Sequence, residues 1–382
     1  MKKGAIVLEG HIQGLSNTRS LGELGIPVYV IDKNYCLAQF SKYCKKYFRS
    51  PSFQSEEFIT FLISIAKKYQ LKGWMLIASN DHIVENLSIN YDKLAPYFKM
   101  LVPHKDNIYN IINKKKLMEL AEKSGTNTPA TCYLNNIENA RKFRFPLLIK
   151  GNLGLSFYKI IHNKAIQVNN IEELEIVVNK VSDVTNDFMI QELIPYDRNN
   201  KVVSFTCFAE KGEIKIYWMG QKIREHPIKY GTATSSQSII IPEVLESAKP
   251  LIASLNYTGV CEIEFIYDCR DNVYKLIEIN PRTWLWVGLA KACGIDYAKI
   301  MYNYLMHIPQ KYTQEYKLEV KWINWFTDII YGFIAIIKKH ISIKEYFSSL
   351  KGKKINAIWT WNDILPGVIF PFMLLYIIIK RR

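Results

Sequence analysis

The chain has 382 residues, with 50 Lys and Arg against 35 Asp and Glu and a formal net charge of +15. That length accommodates two or three domains, and 49% apolar residues exclude a largely disordered chain. Seven cysteines, an odd count without a Cys-x-x-Cys pair, argue against a disulfide framework and a zinc site and for reduced thiols in a cytoplasmic setting, while the basic excess calls for an anionic partner that, with its charges spread rather than striped, is not nucleic acid.

The first apolar stretch, residues 5–8, ends at Glu9, too short for the core of a signal peptide, and predicts a strand. Residues 26–31 predict a second, parallel strand, with a helix over 17–24 between them and Gly25 at its C-terminal end. Gly10 and Gly14 fall in the first strand-to-helix loop without the full Gly-x-Gly-x-x-Gly spacing. An amphipathic helix over 55–69 leads to a third strand, 73–78. Asn80, Asp81 and His82 follow that strand, where open α/β sheets place ligand contacts, although Asp81 also suits the cap of a helix over 83–89.

A helix over 113–124 opens on Lys114-Lys115-Lys116 and is ended by Gly125 and Pro129. Three cations there oppose the helix dipole, a cost that an anionic ligand would offset. Residues 145–151 are an apolar strand ending in Lys150-Gly151, a position where a lysine is ordinarily solvated. After a helix over 171–181 comes the mostly apolar run 188–195, with Gln191 and Glu192 at its edge. Residues 201–209 and 213–219 alternate as a hairpin around Gly212. Lys222 and Arg224 stand two apart, so an extended chain puts both on one face, either as exposed edge charges or as a cationic pocket for a carboxylate or phosphoryl group.

A helix over 242–255 precedes two runs, 261–267 and 273–280, that flank a polar break and predict a β-hairpin. Glu262 and Glu264 share one face of its first strand, and Glu278 and Asn280 one face of its second. A solvent-facing acidic hairpin is the common outcome of such a pattern. Apolar Leu276, Ile277 and Ile279 around Glu278 argue for partial burial, and clustered carboxylates then call for a cation, with hard oxygen donors suiting Mg²⁺ better than zinc. Pro281 stops the ladder and puts Arg282 on the loop beyond.

Glu264 with Glu278-x-Asn280-x-Arg282 resembles the metal-binding end of the ATP-grasp superfamily. With Lys222-x-Arg224 ahead of it, the order of motifs is most similar to the carboxylate-amine ligase branch, D-aspartate ligase and carbamoyl-phosphate-synthase-like. The resemblance implies an α/β fold: a Rossmann-like N-terminal domain, 1–105, then a two-lobed ATP-grasp domain, 106–309, with a smaller lid lobe over about 130–192, and an apolar C-terminal extension, 310–382. It implies ATP with Lys114 (Lys115 as the alternative) and Lys150 on its phosphates. Gln191 and the backbone of Glu192 and Ile194 would face the adenine, and Asp197 the ribose. Glu264, Glu278 and Asn280 would hold two Mg²⁺, with Mn²⁺ as a substitute, and Arg282, Arg224 and Lys222 would act on the reacting group. The implied reaction joins a small-molecule carboxylate to an amine through an acyl phosphate, without nucleic acid, and a homodimer is compatible with it. Residues 152–158 depart from the family's Gly- and Ser-rich phosphate-covering loop, which motivates an alternative: an ATP-binding protein that has lost the chemistry.

From about residue 310 the character changes. Residues 320–337 are apolar and aromatic, and 364–379 form an uncharged run broken by Pro366 and Pro371 and followed by Lys380-Arg381-Arg382. Sixteen residues are short for a span, which takes about 20. The run is expected to lie on the anionic inner face of a membrane, with packing on the protein body as the competing arrangement.

Overall fold

A computed structural model of the chain describes residues 3–163, 165–195, 202–227 and 231–380. Its first sheet is all parallel: β1 (Ala5–Leu8), β2 (Val28–Asp32), β3 (Cys44–Arg49), β4 (Trp74–Ala78) and β5 (Phe98–Met100), in the order β3-β2-β1-β4-β5. Every residue of β1 is buried, as a central strand with helices on both faces requires. The strand order reverses beside β1, so a crevice opens past the carboxyl ends of β1 and β4, where Glu9 and Asn80–Asp81 lie.

The helix after β1 runs over Ile12–Glu23, starting earlier than its sequence predicts. Gly14, expected in a loop, lies inside it: a Cβ there would sit 2.1 Å from the Glu9 carbonyl oxygen, so only glycine lets the helix begin so close to the strand. Asn80, not Asp81, caps the helix Asp81–Ile89, its side chain accepting from the Ile83 amide, which leaves the Asp81 carboxylate free to reach elsewhere.

A second, four-stranded sheet, β6 (Thr131–Tyr133), β7 (Leu147–Gly151), β8 (Ile166–Val168) and β9 (Phe188–Glu192), runs in the order β6-β9-β7-β8 over its own apolar core of Leu147, Ile149, Phe157, Phe188 and Ile190. Over residues expected as a phosphate-covering loop the chain builds a short helix, Gly154–Ile161, with Phe157 buried against Gly151.

The third sheet has seven strands: β10 (Val203–Glu210), β11 (Glu213–His226), β12 (Thr232–Ile239), β13 (Gly259–Asp268), β14 (Val273–Asn280), β15 (Lys321–Ile323) and β16 (Lys354–Asn356), in the order β14-β13-β10-β11-β12-β15-β16. The segment expected as an appended C-terminal extension is therefore part of this sheet. It supplies β15 and β16, and Trp322 and Ile323 are fully buried in the core. The helix Leu365–Lys380 packs Phe370 and Met373 on the body, and Phe326 meets Phe370 edge to face. Among the described residues no helix is long and apolar enough to cross a membrane.

Candidate functional site

The β13–β14 hairpin forms as its alternation predicts, with Glu262 opposite Asn280 and Glu264 opposite Glu278. A register shift follows Glu264, so the pair lies beside a bulge, beyond which pairing resumes at Phe265 and Leu276. Behind this face, Ile263, Phe265, Leu276 and Ile279 are in the core, and that packing holds the polar row in place. Ser204 on β10 donates to Glu262 at 2.7 Å, and the Asn280 amide donates to Glu262 at 3.1 Å and Glu278 at 3.4 Å.

Two lysines face the carboxylates from other elements. Lys222, on β11, stands 3.3 Å from Glu264, and Lys114, at the start of the helix Lys114–Lys123, stands 3.5 Å from Glu278. Of the lysine run only Lys114 points this way, for Lys115 lies over the Tyr133 ring and Lys116 over Tyr109. Asn113 caps the helix by accepting from the Lys116 amide, and the Lys114 amide donates to the Asn152 carbonyl at 2.9 Å, which ties the helix start to the end of β7. The side chain of Lys150, half-buried on β7, makes no ion pair or hydrogen bond among the described residues.

The electrostatics follow from burial among like and unlike charges. Burial, then the neighbouring Glu264, pushes Glu262 up to about 7, and burial with the Glu278 charge raises Glu264 despite Lys222. Burial alone would raise Glu278 too, but Lys114, Lys222 and Arg282 hold it below the usual carboxylate value. Lys150 is pushed down to about 7 by burial first and the Lys114 ammonium second.

Arg282 lies past β14 as expected and is already engaged. Its guanidinium forks onto Asp81 at 2.7 and 2.9 Å and also donates to the Asn280 side-chain oxygen at 3.1 Å and the Thr283 carbonyl at 3.0 Å. Asp81 thus links the first sheet to the hairpin, and Gln13 and Asn17 strengthen the link by donating to Thr283 Oγ1, each at 3.0 Å. Glu9 lines the same crevice. Burial pushes it up to about 7 against the pull of its Asn80 hydrogen bond.

Arg224 does not join the site. The β11–β12 register shifts on both sides of it, so the two-residue spacing from Lys222 no longer means one shared face. Its guanidinium instead forks onto the fully buried Asp328 at 2.8 and 2.7 Å, hydrogen-bonds Ser349 and lies over the Tyr346 ring. The pocket expected from Lys222 and Arg224 together is replaced by one cation at the carboxylates and one structural ion pair.

At the expected adenine edge, the Gln191 Nε2 donates to Thr131 Oγ1 at 2.8 Å and to Met118 Sδ at 3.7 Å. Glu192 accepts from the Arg144 amide at 2.9 Å and pairs with Arg144 and Arg270, with Asp268, Asp271 and Lys275 completing the cluster. This ionic seam joins the four-stranded sheet to the hairpin turn. The Glu192 amide bonds the Ala130 carbonyl at 2.9 Å, whereas the buried Ile194 amide finds no partner among the described residues. Asp197 lies outside the described residues.

Neither the Asp81–Arg282 fork nor the Arg144–Glu192–Arg270 seam was expected, since each pairs residues far apart in sequence. Glu262 had a local signal, two positions before Glu264 on the same face, but was not counted among the metal donors.

Residues 222–304 match the family model described as the carbamoyl-phosphate synthase L chain, ATP binding domain. D-aspartate ligase of Enterococcus faecium is 24% identical over 254 residues, a stretch covering 61% of this chain and 59% of that enzyme, so the chain spans less than two thirds of this relative. Among solved structures, N5-carboxyaminoimidazole synthetase from Staphylococcus aureus superposes with a TM-score of 0.65 at 15% identity, covering 83% of this chain and 80% of that one. The biotin carboxylase domain of Hydrogenobacter thermophilus 2-oxoglutarate carboxylase, solved with MgADP and bicarbonate, gives 0.64 at 16% identity, covering 84% and 73%. The acidic hairpin and these likenesses agree: the chain has the fold of the ATP-grasp ligases it superposes on, and its residues 222–304 are similar to their ATP-binding domain.

Proposed function

We propose that the chain is an ATP-dependent carboxylate-amine ligase that forms an amide through an acyl phosphate, releasing ADP and orthophosphate. The observation that carries this is the convergence of Glu264, Glu278, Lys114 and Lys150, from four separate elements, on one patch between the second and third sheets. ATP would lie between those sheets with its phosphates on Lys114 and Lys150 and its adenine edge at the Ile194 amide and the Glu192 backbone. In this reading the first sheet is a Rossmann-like domain, and residues 106–309 form the two-lobed grasp.

The donor set fits Mg²⁺. Mg²⁺ is held through one or two carboxylates plus substrate phosphates rather than by an all-protein cage. That is the chemistry Glu264, Glu278 and Asn280 offer, and it accords with the lack, among the described residues, of any group of three His, Cys, Asp or Glu arranged around a metal. Glu264, Glu278 and Asn280 would hold two ions, with Mn²⁺ able to substitute. When bound, the ions neutralise charge on the transferring phosphoryl group. Lys114 and Lys222, at 3.5 and 3.3 Å, are looser than close ion pairs and are placed to turn from carboxylate to phosphate as nucleotide arrives.

A substrate carboxylate oxygen attacks the γ-phosphorus and breaks its bond to the β-bridging oxygen. The amine then displaces orthophosphate from the acyl carbon. Arg282, with four of its donors committed to Asp81, Asn280 and Thr283, orients Asn280 and keeps one N–H for the reacting carboxyl. The crevice lined by Glu9 lies beside Arg282 and would receive the amine. The D-aspartate ligase likeness points to an amino acid as one partner, and a cell-envelope or surface-polysaccharide precursor would suit as the other.

The test is a screen of amino acids, D-aspartate included, against candidate acceptors with Mg·ATP. Amide formation with ADP and orthophosphate is expected, and AMP with pyrophosphate would move the chain to an adenylating class. The helix Gly154–Ile161, where a flexible covering loop was expected, favours a second reading as a nucleotide-binding protein without turnover. ATP binding with no phosphate release across the screen would select it.

Lys150 gives a pH signature. Its ammonium is lost at about 7 in the free protein, and a bound phosphate favours the charged form. Nucleotide binding should therefore take up a proton above pH 7, and affinity should fall as pH rises, by up to tenfold per unit. Calorimetry in buffers of different ionisation heat reads this uptake, which Lys150→Met should abolish.

A further inference from the structure

The helix Trp325–Ile337 buries one face, Asp328, Gly332 and Ala335, against the sheet and the Tyr346 ring. Its opposite face carries Ile329, Ile330, Phe333 and Ile337, and the next helix, Ile343–Ser349, continues it with Ile343 and Phe347, all six between 56% and 65% exposed. Large apolar side chains this exposed on one helical stripe mark a docking surface rather than scattered surface hydrophobes. Apart from Glu345, the flanking charges are of one sign: Lys338, Lys339, Lys344, Lys351, Lys353 and Lys354 are all exposed.

From residue 310 onward the chain has twelve Lys and Arg against five Asp and Glu. Two of those acids, Asp328 and Asp363, are buried in ion pairs with Arg224 and Arg19. A third, Glu345, is tied into the cap of its own helix by Ser342. The stripe therefore meets its partner as apolar side chains rimmed by cations. Branched aliphatic and phenyl groups offer a nucleic acid nothing to hydrogen-bond, whereas an anionic bilayer takes both parts, acyl chains for one and headgroups for the other.

We infer that the surface formed by residues 325–354 seats the protein on an anionic lipid bilayer, with the stripe at headgroup depth and the lysines on the phosphates. The surface differs from the C-terminal run that the sequence singled out, whose helix spends Phe370 and Met373 on the protein body. Seated this way, the chain would meet a lipid-linked or membrane-proximal acceptor.

The test is flotation of the full chain with vesicles of equal parts phosphatidylglycerol and phosphatidylcholine, and with phosphatidylcholine alone. Binding is expected to the first and to weaken at high salt. Phe333→Asp with Ile337→Asp should weaken it about tenfold or more, with thermal midpoint and ATP binding unchanged, because both positions are exposed and outside the nucleotide machinery. Lys338→Gln with Lys339→Gln and Lys344→Gln should remove the preference for the anionic vesicles while sparing the fold. No flotation of the wild-type chain, equal flotation with both vesicles, or undiminished flotation of the Asp variant would each overturn the proposal. So would a concentration-dependent dimer, in the absence of vesicle binding, that the Asp variant converts to monomer, since a second copy would then own this face.

Discussion

Glu278→Gln is expected to lower ADP formation by at least about 10²-fold while leaving the protein folded. Glu278 is held ionised by Lys114, Lys222 and Arg282, so the amide removes a full charge at every working pH. The shape is kept, and the Asn280 side chain still has an oxygen to donate to. What is lost is the carboxylate opposite Glu264 that is proposed to hold a divalent ion. The lowered Glu278 value means that its charge contributes to folding, and Lys114 loses its ion pair, so the thermal midpoint without nucleotide should fall modestly. Loss of turnover in a variant that remains fully folded at the assay temperature separates a chemical role from a structural one. Turnover within tenfold of the wild type would remove Glu278 from the machinery.

The opposite pattern is expected at Arg224. Arg224→Met keeps the aliphatic stem but leaves the wholly buried Asp328 without its cation, and such a loss costs about 3–5 kcal/mol. Thr234 and Tyr346 would remain as partners for that carboxylate, which places the cost toward the lower end. Denaturant unfolding should show the loss as a lowered midpoint. Below the unfolding transition the KM for ATP should stay within about threefold of the wild type, since no part of the carboxylate cluster is touched. A stable Arg224→Met protein with collapsed catalysis would restore Arg224 to the reacting group and contradict the placement described above.

These two residues show what was legible in advance. The Glu264–Glu278 pair could be read because strand alternation and a polar turn are local signals, and the hairpin's register follows from them. The helix start marked out the run 114–116, the family resemblance singled out Lys114 within it, and the two tyrosines that occupy Lys115 and Lys116 explain why it alone faces the cluster. Arg224 was misplaced because a bulge, which leaves no mark in composition, reverses the face that alternation assigns. The Asp81–Arg282 fork joins residues 201 positions apart, and only tertiary packing makes it. The last seventy residues read as an appendage because their apolar, aromatic runs suit a lipid interface and a buried sheet edge equally. Short strands such as Lys321–Ile323 reveal their partners only when the whole sheet is assembled.

The central claim, that one two-stranded ribbon grips divalent ions against a bound triphosphate, is tested most directly by Mn²⁺ electron paramagnetic resonance with a non-hydrolysable ATP analogue. The wild-type chain should retain Mn²⁺ with phosphorus hyperfine coupling, at a level that falls sharply when Glu264→Gln and Glu278→Gln are combined. Mn²⁺ retention no greater than that of the free nucleotide, or identical in the double variant, would contradict the account.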